Sequence, residues 1–205
     1  MSLKTLAPAL LLSFIATAAQ LPELRTEPIG GGSVFFVKNT SSQSLTGYLI
    51  ELVDYPGSSY YLWQDEITSQ PVAPGVEKRI QVTNMTAGAV PDYMKIQAAV
   101  YADGSTAGVP EKVTQFIERR KAVLATTREL IGRIEKGATK ADLMQWAESL
   151  QPVGKVRPNS QPVINQTAAR TLVMETASKL ESHPTETLAA LRASEKTLAS
   201  SKPAL

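Results

Sequence analysis

The sequence predicts an α+β fold: an N-terminal antiparallel β-sandwich followed by a C-terminal α-helical region. Three observations predict it. Apolar residues alternate with period two in short runs between residues 34 and 101. Pro-Gly and Asp-Gly pairs punctuate those runs. At Pro110 the apolar spacing changes to three and four and stays helical to near the end of the chain.

The strands come first. Val34-Phe35-Phe36-Val37 is a short β-rich run that ends at the polar turn Asn39-Thr40-Ser41-Ser42. Thr46, Tyr48, Ile50 and Leu52 then alternate with Gly47, Leu49, Glu51 and Val53. Both faces are partly apolar, which suits a strand near the middle of a sheet. Pro56-Gly57 fits the central positions of a type II turn, because Gly accepts positive φ, and Tyr60-Tyr61-Leu62-Trp63 follows as an extended run. Pro74-Gly75 is a second such turn. After it Val76, Ile80 and Val82 face one way and Glu77, Arg79, Gln81 and Thr83 the other, with Lys78 an exception on the apolar side. Met94, Ile96, Ala98 and Val100 alternate with Tyr93, Lys95, Gln97, Ala99 and Tyr101, which predicts a half-buried strand closed by Asp103-Gly104.

The helical half opens at Pro110, a residue suited to the first turn of a helix. Val113, Phe116, Ile117, Val123, Leu124, Leu130, Ile131 and Ile134 form a wide apolar stripe, and Gly137 supplies a stop. Thr139 and Asp142 form a capping-box pattern ahead of Leu143, Trp146, Ala147 and Leu150. Pro152, Pro158 and Pro162 interrupt the chain. A helix is expected from Asn165 to Leu180, and a last one opens at Pro184 and runs through Leu188, Leu191 and Leu198. The expected division is residues 34–108 for the sandwich and 109–200 for the helical region.

Residues 1–19 read as a secretory signal peptide. Lys4 supplies the positive end, Leu6 through Ala16 an apolar core, and Ala16-Thr17-Ala18 the small residues of a cleavage site. The apolar run is shorter than the roughly 20 residues a membrane-spanning helix needs. The mature chain is expected to start at Ala19 or Gln20, outside the cytoplasm in the periplasm or extracellular space, and not to be integral to a membrane. Residues 20–33, with Pro22, Pro28 and Gly30-Gly31-Gly32, read as a flexible linker. Gly30-Gly31-Gly32-Ser33 is no phosphate cradle, because an extended run follows it rather than a helix carrying Lys and Ser or Thr.

Composition narrows the chemistry. The formal net charge is +2, falling to +1 when Lys4 leaves with the signal, so the chain lacks the basic excess that favours nucleic acid. Cys is absent, which removes disulfides, thiol nucleophiles and thiolate metal ligands. His183 is the single His and sits at a helix junction, Ser182-His183-Pro184, with no Gly-x-Ser-x-Gly elbow in the chain; it reads as a junction or capping residue. Asp54, Asp65, Glu66, Asp92 and Asp103 are the carboxylates available for acid–base work or calcium. Most stand beside turns, where Asp bonds its own backbone, and nothing in their spacing sets the paired geometry a glycosidase needs. No cofactor, metal or catalytic residue is expected.

Phe36-Val37-Lys38-Asn39-Thr40, the strand Tyr48-Leu49-Ile50-Glu51-Leu52, Pro74-Gly75 and the turn Ala102-Asp103-Gly104-Ser105 together carry a resemblance. On these, residues 34–108 resemble small exported β-sandwich modules of the FxLYD and immunoglobulin-like kind. The chain is also similar to exported bacterial proteins in which an Asp-Gly-Ser/Thr turn leads directly into a helix. Leu52-Val53-Asp54-Tyr55 stands where the Phe-x-Leu-Tyr-Asp string would be. The resemblance implies a sandwich and brings no catalytic residues.

Tyr60, Tyr61 and Trp63 are the candidate binding aromatics. Alternation puts Tyr61 and Trp63 on one face and Tyr60 and Leu62 on the other. Exposed rings stack on sugars or anchor a protein partner. The competing role for Trp63 is to fill the sandwich core, and that placement is the expected one, with Tyr60 the more exposed ring. The helical stripe is wide enough for packing within the chain, although a dimer seam uses similar spacing. Asn39-Thr40-Ser41, Asn84-Met85-Thr86 and Asn165-Gln166-Thr167 match the N-glycosylation pattern. The expected function is an exported, non-enzymatic binding or envelope-architecture module with a protein or glycan partner. The alternative is a carboxylate-dependent hydrolase.

Overall fold

The structure is a computed structural model that describes residues 19–30, 32–54, 58–83, 93–152, 157 and 159–205. The signal segment up to residue 18, Pro56-Gly57, Asp92 and Asn84-Met85-Thr86 lie outside the described residues.

The strands are β1 (Glu23–Ile29), β2 (Gly32–Lys38), β3 (Leu45–Asp54), β4 (Ser58–Asp65), β5 (Glu77–Thr83), β6 (Tyr93–Tyr101) and β7 (Thr106–Gly108). The helices are α1 (Pro110–Glu135), α2 (Lys140–Ser149), α3 (Gln161–Leu180) and α4 (Pro184–Ala199). The strands form two antiparallel sheets, β1-β2-β5 and β4-β3-β6-β7. The sheets meet over one apolar core of Phe35, Val37, Tyr48, Ile50, Leu52, Ile96 and Tyr101, into which Leu24, Leu62, Ile80 and Val82 also pack. The α+β class expected from the periodicity is the one observed.

Two expectations about the strands need correction here. The segment expected to be a flexible linker forms β1, paired along its length with β2 from Glu23↔Lys38 to Ile29↔Gly32. Leu24 packs on the core while Glu23, Arg25 and Glu27 stay exposed, a period-two pattern that the flanking Pro and Gly residues obscure. Pro28 is tolerated because β1 is an edge strand. Gly30 follows β1 and Gly32 opens β2.

The second correction concerns β6. Leu49 pairs with Ala98 and Ile50 with Ile96, so Gln97 is an extra residue, a β-bulge. Alternation reverses there. Ile96, Ala99 and Tyr101 face the sandwich core, whereas Ala98 and Val100 face the opposite side. A second bulge at Thr46 separates the pairs Leu45↔Tyr101 and Gly47↔Val100.

That opposite side of the four-stranded sheet is covered by α1, whose Phe116 packs with Leu49, Ala98 and Val100. β3 is therefore apolar on both faces because it has a layer on each, and it lies inside its sheet, between β4 and β6, as its sequence predicts. Gly47 permits the approach: a Cβ there would meet the Phe116 ring at 2.5 Å. Beyond the sheet, α1 continues into the helical layer, where Leu130, Leu143, Ala147, Val173, Ala177 and Leu191 share a second core. Gln161 donates to the Gln115 carbonyl at the head of α1, and Val173 and Ala177 meet Leu130 farther down, so α1 and α3 run parallel. α2 runs antiparallel to α3 and α4 antiparallel to α1, as the pairs Lys140–Glu181, Arg128–Glu195 and Arg192–Glu135 record. The chain then returns to the sandwich, with Lys202 and Pro203 over Gly104.

The helix boundaries follow local chemistry. Pro110 occupies the first position of α1, and Gly137 takes φ 88° just beyond its end. Thr139 and Asp142 form the expected capping box. α3 begins at Gln161 rather than Asn165, because Pro162 sits in its first turn instead of interrupting it.

Candidate functional site

The outer face of the four-stranded sheet is half covered. α1 leaves β7 at Val109, whose N–H donates to the Gln97 carbonyl at 2.8 Å. From there it runs over β6 and β3 toward the Thr46 bulge. The half of the sheet toward Asp54 and Tyr93 remains open above the head of α1. The pairings Glu51↔Tyr61, Glu51↔Lys95, Val53↔Ser59 and Val53↔Tyr93 put all of these residues on the uncovered face.

Glu51 is the centre of this shelf. Its carboxylate accepts from the Tyr61 hydroxyl at 3.1 Å and from the Gln97 side-chain amide. The Lys112 ammonium lies 4.5 Å from the centre of the Tyr61 ring. Tyr93, 48% exposed, flanks the polar cluster. The bulge supplies Gln97 to this cluster. The shelf thus combines ring faces, a carboxylate, an amide and ammonium groups, the set that stacks on and hydrogen-bonds to a polar ligand.

The sequence candidates fall in different places. Tyr61 belongs to the shelf. Tyr60 is 56% exposed and faces the other side of the same strand. Trp63 is not in the sandwich core, as was expected, but on the outer face. Its ring lies 5.8 Å from that of Phe116 and 6.4 Å from that of Tyr61. The physical reason is the third layer: once α1 covers the outer face, that face also needs large apolar groups, and Leu62 serves the inner one. Glu51, Tyr93, Gln97 and Lys112 were not singled out from the sequence. The signal for Glu51 was present, since it is the one charged residue between Leu49 and Val53 on that face.

Asp65, Glu66 and Asp103, three of the carboxylates available for acid–base work, have structural partners. Asp65 binds the fully buried Arg120 through Nε at 3.0 and 3.1 Å and Nη2 at 2.8 Å. Arg120 Nη2 also donates to the carbonyl and hydroxyl of the bulged Thr46, at 2.8 and 3.2 Å, while its Nη1 has no protein partner. Arg119 lies 3.9 Å from Asp65. Burial lowers the pKa of the Arg119 guanidinium; Asp65 opposes that shift and Arg120 adds to it. Glu66 is buried, pairs with Lys78 and accepts from Ser69 at 2.8 Å. This pairing explains Lys78, the charge on the apolar side of β5. Asp103 accepts from the Ser105 hydroxyl and N–H, which hold its carboxyl below its ordinary value. The Asp54 side chain and Asp92 lie outside the described residues.

His183 is the exposed residue preceding α4, with its ring against Ser182 at 3.0 Å. Asn39 is fully buried and its amide donates to the carbonyls of Gln43 and Val72, so the folded chain withholds that glycosylation pattern from an enzyme. Among the described residues, no three His, Asp or Glu side chains converge as metal ligands. None of the described helices is long and apolar enough to cross a membrane.

A cleft of about 700 Å³ opens at the far end of the helices, with apolar walls from Ile134, Met144, Leu180 and Pro184. Its polar residues are already engaged, Thr139 in the α2 cap and Lys140 with Glu181 at 2.8 Å. The shelf is the better candidate because it sets the exposed ring of Tyr93 beside a converging carboxylate, amide and ammonium. No protein family, no curated protein and no solved structure matches the chain.

Proposed function

We propose that the protein is an exported, non-enzymatic binding module, an immunoglobulin-like sandwich that holds a protein or glycan partner outside the cytoplasm on the shelf around Glu51, Tyr61 and Tyr93. The observation that carries this reading is the half-covered outer sheet. It leaves Tyr93 open beside a carboxylate whose orientation is set by Tyr61 and Gln97. Such preset polar groups lower the ordering penalty of binding. The strand order supports the immunoglobulin-like part of the reading: β1-β2-β5 against β4-β3-β6-β7 is a seven-strand sandwich with the fourth strand moved to the second sheet. The export signal of residues 1–19 supports the location. Leu21, which lies beyond the expected cleavage site, packs on the sandwich core.

The test is capture from the native envelope fraction, together with a glycan panel, using the unmodified protein and Tyr93→Ala. A partner retained by the first and lost by the second is the expected result. A partner that binds both equally overturns the assignment to the shelf. Turnover of any substrate that disappears in a single Asp or Glu variant overturns the non-enzymatic reading. Mass spectrometry of the exported form should find a mature start at Ala19 or Gln20.

A further inference from the structure

The two sheets have four edges, and they are not defended alike. An edge strand presents unpaired N–H and C=O groups, and proteins blunt such edges with charge, Pro, inward-pointing charges or short length. β1 carries Glu23, Arg25, Glu27 and Pro28. β5 carries Glu77 and Arg79, with Lys78 pointing inward to Glu66. β7 is three residues long. β4 has none of these devices from Ser58 to Gln64, reading Ser-Ser-Tyr-Tyr-Leu-Trp-Gln, and its one charge, Asp65, is held by Arg120. Among the described residues, no strand pairs with its outer side.

We propose that β4 is a self-association edge, at which a second copy of this chain adds its own β4 antiparallel and joins two sheets into one. The backbone sets the register. The Glu66 N–H donates to the Thr46 carbonyl at 2.8 Å, toward β3. Groups alternate along a strand, so Gln64, Leu62 and Tyr60 also point inward, and Asp65, Trp63, Tyr61 and Ser59 point outward. A two-fold axis perpendicular to the sheet keeps each face on its own side, so opposed residues must share a face. Axes through Tyr61 and through Leu62 both satisfy this over seven residues of the strand, and the axis through Leu62 is the one that also brings in the outward groups of Asp65. It opposes Ser59 to Asp65, Tyr60 to Gln64, Tyr61 to Trp63 and Leu62 to Leu62, with every outward group paired.

The strand complements itself in this register. Tyr61 against Trp63 is a favourable aromatic cross-strand pair, Leu62 meets Leu62, and no like charges oppose each other. The exposed ring of Tyr60 gains a neighbour. An uncharged edge fits an uncharged strand, and this chain supplies one. α1 leaves room, because it lies over β3, β6 and β7 and reaches β4 through side chains.

Sedimentation velocity of the full chain over a range of concentrations, combined with amide hydrogen exchange, tests this. A dimer is expected, with the amides of Tyr61 and Trp63 becoming protected as concentration rises and those of Leu62 and Gln64 protected throughout. Ser59→Pro removes one outward N–H from each copy and should weaken dimerisation by roughly tenfold or more, with an unchanged thermal midpoint at dilutions where both proteins are monomeric. A chain that stays monomeric into the millimolar range overturns the proposal. So does a dimer whose protection maps elsewhere, or one that Ser59→Pro leaves as tight as before. Should that variant fail to fold, exchange on the unmodified chain decides alone.

Discussion

Replacing Asp65 with Ala isolates the ion pair that fixes α1 on the sheet. Arg120 is fully buried, and three of its five hydrogen-bond contacts go to Asp65. The substitution leaves a buried guanidinium with only the two Thr46 oxygens. Removing one partner of a buried pair costs about 3–5 kcal/mol. The Asp65 side chain is 14% exposed, so water can reach part of the vacated space, which places the expected loss near the lower end, about 3 kcal/mol. With a urea dependence of about 2 kcal/mol per molar, the midpoint should fall by about 1.5 M. Urea titrations followed by circular dichroism and by fluorescence measure it, since Trp63 reports on the sheet and Trp146 on the helices. Asp65→Ala combined with Arg120→Met should recover most of the loss, because the uncompensated charge is gone. A loss below about 1 kcal/mol in the single variant would refute the argument that a buried, paired charge seats the helix.

Gly47→Ala should destabilise by about 1–3 kcal/mol in the same titration, because its Cβ would stand 2.5 Å from Phe116 and 2.7 Å from Arg120 Nη2; full stability would mean that α1 is not seated there. Leu124 is buried, so Leu124→Ala should destabilise the monomer by about 2–5 kcal/mol, whereas an equally stable variant that only loses self-association would assign the stripe to a dimer seam. Alkaline stability follows from Tyr101. Burial pushes its phenol from 10.0 up to about 12, so the folded state favours the protonated form. That stabilisation is complete below about pH 10 and should be lost by roughly pH 12, a change of about 2 kcal/mol. Denaturation at several pH values tests this, with Tyr101→Phe flattening the decline; a flat profile in the unmodified chain would contradict it. The flattening is partial because burial, with Glu66 adding to it, raises the Tyr48 phenol as well.

Turn and cap chemistry was the most legible part of the sequence. Gly75, Gly104 and Gly137 all adopt the positive φ that Pro-Gly, Asp-Gly and a helix stop require, and Thr139 with Asp142 closes the α2 cap. These signals are local, so tertiary packing had no need to override them. What failed to read was non-local. Gln97 is an extra residue only in relation to β3, and no periodicity along β6 alone shows where alternation reverses. Trp63 looked like sandwich core because nothing in its own strand announces a third layer. β1 was hidden by the Pro and Gly residues around it, although Leu24 and Thr26 alternate with Glu23, Arg25 and Glu27. The shelf was half legible: Tyr61 stood out by type, whereas Glu51, Gln97 and Lys112 converge from β3, a bulge and a helix that only the fold brings together.

A single helix shared by two packed bodies also acts as a ruler. α1 has 26 residues, which at about 1.5 Å each gives a rod of about 39 Å. Its head stands beside Glu51 and Tyr61, and its tail, at Ile134, forms a wall of the distant cleft. No hinge interrupts it, and the returning C-terminal segment ties the helices to Gly104. Whatever rests on the shelf is therefore held at a set distance and angle from whatever meets the far end, as in a strut between two attachment points.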